Sequence, residues 1–148
     1  MALSTIIRAT PTQIPMLWEA IKYAVANADE LGTDAIGPYC QWLLQALLSE
    51  RAQCWVSLNE ERLLLSLMVT MIFRNQFTGE KELTAHGLYA FQGFTENTMD
   101  QGFALLRDFA SASGCAVITC VSRHARMWEI FQTHGWTEQH RTFQLTAA

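Results

Sequence analysis

The stretch Cys115-Ala-Val-Ile-Thr-Cys-Val-Ser-Arg-His-Ala-Arg-Met-Trp-Glu-Ile-Phe-Gln-Thr-His-Gly-Trp136 decides the fold. Residues 115–121 are apolar apart from Thr119, as expected of a central strand covered on both faces. After a short break, Met127, Ile130, Phe131 and His134 recur at spacings of three and four and so share one face of a helix. Gly135 supplies the left-handed position at which many helices stop.

The elements before this unit follow from similar signals. Residues 100–113 predict a helix with Phe103, Leu106, Phe109 and Ala110 on one face, ended by Gly114. Residues 84–94 alternate as a strand and are joined to that helix by the polar segment 95–99. Two further strands, 53–58 and 63–74, meet at the short polar turn 59–62, a hairpin signature; 77–83 read as a loop. The chain opens with a strand at 3–8. Thr10, Pro11 and Gln13 then form a capping-box start for a helix carrying Ile14, Leu17, Trp18, Ile21 and Val25. That helix is expected to end by residues 28–30. A loop over 31–38, with two glycines and a proline, leads to a second helix at 39–51. A last strand at 137–146 alternates Phe143 and Leu145 with polar neighbours. The order is β-α-α-β-β-β-α-β-α-β, a mixed α/β fold in one domain over residues 1–148, closing on a right-handed crossover.

Composition narrows the function classes. Half of the 148 residues are apolar, which excludes disorder. Charged residues reach only 16%, and lysine occurs only at Lys22 and Lys81, so part of the surface is expected to be covered by other protein chains. With a net charge of −4 and no basic run, nucleic acid is not an expected partner. The apolar run 63–73 is broken by Ser66 and Thr70 and is too short to span a membrane, and no leader-like segment opens the chain. The expected location is therefore cytoplasmic, with Cys40, Cys54, Cys115 and Cys120 as reduced, buried structural thiols. Cys115, Cys120 and His124 do not read as a metal set, because strand positions five apart face opposite sides. No serine-hydrolase order, Walker loop or HExxH motif is present.

Element order, length and the C-terminal third resemble the GNAT superfamily, the Gcn5-related N-acetyltransferases. Arg8, Ala9 and Thr10 match the end of that family's first strand. Ile130, Phe131, Gly135 and Trp136 stand where the family carries Leu-Tyr and then Gly-Phe. The resemblance covers residues 3–146 and implies a mixed central sheet flanked by helices, acetyl-CoA as donor and an amine as acceptor.

Two departures qualify what the resemblance implies. The family's pyrophosphate loop, Arg/Gln-x-x-Gly-x-Gly/Ala, falls on Asn97, Thr98, Asp100 and Gly102, of which only Gly102 matches. Asp100 reads as a helix cap, and its carboxylate would oppose a phosphate by about 4 kcal/mol at ~4 Å and an effective dielectric of ~20. Phe131 replaces the tyrosine that protonates the leaving thiolate, and His124 replaces a nearby asparagine. These departures imply a domain that has lost acetyl transfer, needs no cofactor and serves as a binding or assembly subunit. In this it is similar to short GNAT-like proteins of tailed bacteriophages, virion components among them. The alternative is an acetyl-CoA-dependent N-acetyltransferase with an atypical loop. Its proton-transfer candidates are Glu82, His86, Tyr89 and His124, and its donor-binding candidates are Phe91, Gly93, Asn97 and Gly102. A further alternative is a binder of another small acyl or nucleotide ligand, held between the strands at 88–94 and 115–121. Trp128, off the apolar stripe of its helix, is the expected interface anchor.

Overall fold

A computed structural model describes residues 4–28, 33–92, 96–122, 124–139, 141 and 143–147. In chain order the elements are β1 (Thr5–Arg8), α1 (Ile14–Ala28), α2 (Thr33–Leu48), β2 (Ala52–Leu58), β3 (Leu64–Arg74), β4 (Lys81–Ala90), α3 (Glu96–Ala112), β5 (Val117–Cys120) and α4 (Ala125–Thr133). The strands form one mixed sheet in sequential order, antiparallel from β1 to β4 and parallel between β4 and β5.

Alternation along the strands builds two cores. Cys54, Val56, Leu67 and Val69 face α1 and α2, where Ile14, Ile21, Val25 and Leu43 are buried. Trp55 and Leu83 face α3 and α4 and meet Phe103, Leu106 and Phe131. Among the described residues no helix is long and apolar enough to cross a membrane.

The two hairpins rest on asparagine turns. The Asn59 carboxamide oxygen accepts the Leu63 N–H at 2.9 Å, and Arg62 adopts φ 65°. Asn75 accepts the N–H groups of Phe77 and Thr78 at 2.8 and 3.2 Å. This second turn is tight enough that β4 begins at Lys81, so 81–83, expected as loop, are strand.

Three other expectations are corrected. Helix α2 starts at Thr33 and carries Pro38 inside it, although glycine and proline read as a loop over 31–38. A proline this close to a helix start removes one intrahelical hydrogen bond and leaves the rest of the ladder intact. Helix α3 starts at Glu96, so Asp100 lies four residues inside it and does not cap it. The described residues of 137–146 form no strand, and Phe143 and Leu145 are 88% and 94% exposed. Alternation alone does not make a strand when no pairing edge receives it.

The β4–β5 pair positions the site. Its ladder runs from Glu82↔Val117 to Ala85↔Cys120 and stops, while β4 continues to Ala90. Just beyond that point the β3–β4 register shifts, from Val69↔His86 to Leu67↔Tyr89. Gly87, at φ 62°, is the residue that makes this bulge possible. The extra residue inverts the strand's facing. Leu83 packs with the α3 core before the bulge, and Leu88 does so after it. Tyr89 and Phe91 are thereby turned onto the α1 core.

Candidate functional site

The length of β4 that runs on past the end of β5, from His86 to Ala90, is the candidate site, and the space beside it is the wedge. Among the described residues, β4 from His86 to Ala90 is paired on its β3 side only, so its other edge presents peptide groups to whatever enters the wedge. Such an edge accepts an extended chain carrying amides, as a further strand would be accepted. A small cavity of ≈ 50 Å³ beneath α3, lined by Ser57, Ser66, Leu88 and Phe103, has room only for water.

The Thr84 and Thr119 hydroxyls lie 2.9 Å apart across the last paired stretch. His86 is the first β4 residue past the end of β5. Its Nε2 lies 2.6 Å from the Tyr39 hydroxyl on α2, and the two rings meet edge to face. Burial pulls the imidazole down from its ordinary value of 6.5 to about 4, so the ring is neutral near pH 7.

This depression makes stability pH-dependent. The unfolded chain binds the proton more tightly than the folded one. The contribution is therefore fully present above pH 6.5 and lost as pH falls toward 4. The expected loss is about 2–3 kcal/mol. Urea unfolding at pH 7.5 and 4.5 checks it: the wild-type midpoint falls by more than that of His86→Gln, which lacks this titration.

The other candidates are placed as follows. Glu82 pairs with Val117 at the closed end of the β4–β5 ladder, and its carboxylate accepts the Asn75 amide at 2.9 Å, so the fold does not bring it to the wedge. His124 precedes α4. Its Nε2–H donates to the Ala28 carbonyl at 2.8 Å, so the ring ties the start of α4 to the end of α1. Phe91 spends its N–H on the Leu65 carbonyl at 2.8 Å, which leaves its ring, not its amide, facing the α1 side. That ring stacks on Tyr23 at 6.1 Å and meets Tyr89 at 5.1 Å. A hydrogen bond with Tyr23 raises the Tyr89 phenol's pKa, helped by burial and by Tyr23's charge. Gly93 lies outside the described residues. Asn97 is exposed in the first turn of α3, where backbone N–H groups lack intrahelical acceptors. Gly102 sits within that helix against Ile6, 3.8 Å from where a Cβ would stand, and is a packing residue.

Asp100 and Phe131 carried the expectation of lost activity; Asp100 is not the cap it was read as, whereas Phe131 lies on the buried face where its spacing placed it. The Asp100 carboxylate is 68% exposed and lies 3.4 Å from His134 Nε2, at the end of α4. Phe131 is buried among Phe103 and Trp136, its ring 6.2 and 4.9 Å from theirs. Two cysteines also differ from expectation: Cys115 and Cys120 are only partly buried, whereas Cys40 and Cys54 are buried, and burial pushes the Cys54 thiol up to about 12. Trp128 is half exposed and donates its indole N–H to the Ser122 carbonyl at 2.7 Å.

Sequence reasoning missed Tyr39 and Gly87. Gly87 had a signal, a lone glycine within a strand pattern. Tyr39 had none, since it lies 47 residues from His86.

Two features could hold an acetyl donor of the CoA type. The free edge from His86 to Ala90 would hold the amides of its pantetheine arm, and the first-turn N–H groups of α3, near Asn97, would face its pyrophosphate.

No family model matches the chain, and no curated protein sequence does. Solved structures do match it end to end. A predicted acetyltransferase from Clostridium acetobutylicum, crystallised with acetyl-CoA, is 13% identical over 97% of this chain and 96% of its own, with a TM-score of 0.73. A GCN5-related N-acetyltransferase from Ralstonia eutropha JMP134 is 13% identical over 99% of this chain and 100% of its own, at a TM-score of 0.73. The aminoglycoside N-acetyltransferase AAC(6')-Iy, in complex with CoA, is 13% identical over 100% and 97%, at 0.69. The chain thus has a GNAT-like α/β fold.

The expectation of a domain that has lost acetyl transfer is corrected by these findings. The structures it resembles over their whole lengths are acetyltransferases, two of them holding acetyl-CoA or CoA, and none of those named carries the phage likeness. The reading of Asp100 as a cap is corrected as well, since it lies inside α3 with its carboxylate turned to His134.

Proposed function

We infer that this chain is an acetyl-CoA-dependent N-acetyltransferase. The observation that supports this most is the overhang of β4: β5 ends at Cys120, opposite Ala85, and a glycine bulge at Gly87 then re-aims the part of β4 that continues to Ala90. An acyl donor laid along this edge would take the place of a further paired strand. The amine acceptor approaches from the α1–α2 side, where His86, Tyr39, Tyr89 and Tyr23 stand, and attacks the thioester carbonyl directly.

The test is thiol release from acetyl-CoA, followed with a chromogenic disulfide. The panel of primary amines comprises an aliphatic polyamine, an aromatic monoamine, an aminoglycoside and a peptide with a free N-terminus. At least one amine is expected to accelerate release by 100-fold or more over buffer, roughly the least that positioning and proton transfer together give. Release at the buffer rate with every amine overturns the reading.

A further inference from the structure

Thioester aminolysis needs a proton for the departing sulfur, and Phe131 has none to give. The ring is buried in an aromatic cluster, so a water in its place is not an option either. Among the described residues three phenols stand on the α1–α2 side of the wedge: Tyr39, Tyr23 and Tyr89. Tyr23 and Tyr89 share a hydrogen bond that raises Tyr89's pKa, which makes it a poorer acid. They also stand farther out along β4, about 7 Å past His86 at strand spacing. Tyr39 is the phenol tied to His86.

We propose that Tyr39, held by His86, donates the proton to the leaving thiolate, so that the acid comes from α2 instead of α4. The inference rests on the acetyltransferase reading. Three observations carry it. The Tyr39 hydroxyl lies 2.6 Å from His86 Nε2. His86 is the residue immediately after the last β4–β5 pair, where the overhang of β4 begins. Tyr39 is braced from behind by Trp42, ring centroids 6.1 Å apart, so the phenol is positioned by α2 packing.

The protons balance without a charged imidazole. The amine nitrogen forms the C–N bond, the C–S bond breaks and its electron pair goes to sulfur. Tyr39 gives its hydroxyl proton to that sulfur. His86 gives its Nε2 proton to the phenolate oxygen and takes the amine's surplus proton at Nδ1. The ring changes tautomer and remains neutral. Its burial disfavours an imidazolium, and this route never forms one.

The experiment compares wild type with Tyr39→Phe on two donors, acetyl-CoA and the acetyl thioester of thionitrobenzoate, whose thiolate leaves without help. The acceptor is the fastest amine of the panel above. On acetyl-CoA, kcat of Tyr39→Phe is expected to fall on the order of 100-fold. On the activated donor it is expected to stay within about threefold of wild type, since the missing proton is no longer needed. Equal losses on both donors, or no loss on acetyl-CoA, overturn the proposal. Should the variant fail to fold, wild type still decides. Its kcat must be nearly independent of leaving-thiol acidity across a series of acetyl thioesters, and a steep dependence overturns the proposal. Wild type inactive with every amine instead overturns the acetyltransferase reading itself.

Discussion

Valine at position 87 is expected to lower the free energy of unfolding by about 3–5 kcal/mol, and acetyl-CoA affinity with it. Two costs add. Gly87 sits at φ 62°, a region a β-branched side chain scarcely enters, and strain of this kind costs about 1–3 kcal/mol. A Cβ at this position would also stand 2.9 Å from Val25 Cγ1, whose side chain is fully buried in α1. Relieving that contact needs a shift of α1 away from β4, and overpacking typically costs about 1–3 kcal/mol. Gly79→Val is the control. Gly79 has a similar φ of 74°, but a Cβ there would meet nothing within 4 Å, so it should lose the strain term alone. Urea midpoints of the two variants separate the costs. Val25→Ala introduced beside Gly87→Val should recover part of the loss, while the same change alone destabilises. The functional effect follows because the bulge sets which way Leu88, Tyr89 and Ala90 face, and with them the free edge of β4.

Trp55→Ala is expected to cost about 3–5 kcal/mol, the usual range for deleting a buried large aromatic ring. Trp55 is only 8% exposed, on the α3 side of β2. Its ring meets Phe109 of α3 edge to face at 5.3 Å. Its indole N–H donates to Thr70 Oγ1 at 2.9 Å, and Thr70 donates in turn to Gln53 Oε1 at 2.8 Å. Removing the ring opens a cavity under α3 and leaves the Thr70 oxygen one partner short. Trp55→Phe separates the two effects, retaining much of the ring contact while losing the N–H, at about 1–2 kcal/mol. Chemical denaturation of the three proteins at pH 7.5 reads the series. Phe109 belongs to the helix whose first turn is proposed to hold the donor's pyrophosphate, so Trp55→Ala is also expected to weaken donor binding.

Periodicity along the chain made the helices and the antiparallel hairpins legible. Ile21 and Val25, Leu43 and Leu47, and Phe103 and Leu106 are buried where their spacing placed them. Boundaries were less legible because local signals compete. Asp100 has the chemistry of a cap, but α3 begins a turn earlier, and Pro38 reads as a stop that α2 passes through. The last strand misled for a different reason: Phe143 and Leu145 alternate as strand residues do, but a strand is completed by its partner, which a single segment does not specify.

The site was legible only in pieces. His86 could be suspected as a titratable group in a strand, yet its hydroxyl partner comes from α2, and no local pattern links residues 39 and 86. Glu82 was as plausible in sequence and is held by Asn75 at the closed end of the ladder. Phe131 was legible as lacking a hydroxyl, and that an acid must come from α4 was an assumption added to it. That assumption belonged to the resemblance, not to the residues.

The account rests on the wedge being a donor site, and calorimetric titration of the purified wild-type protein with acetyl-CoA tests this most directly. It predicts saturable one-to-one binding at micromolar concentration, about 8 kcal/mol, weakened at least tenfold in Gly87→Val. No heat of binding from the folded wild-type protein at millimolar acetyl-CoA would contradict it.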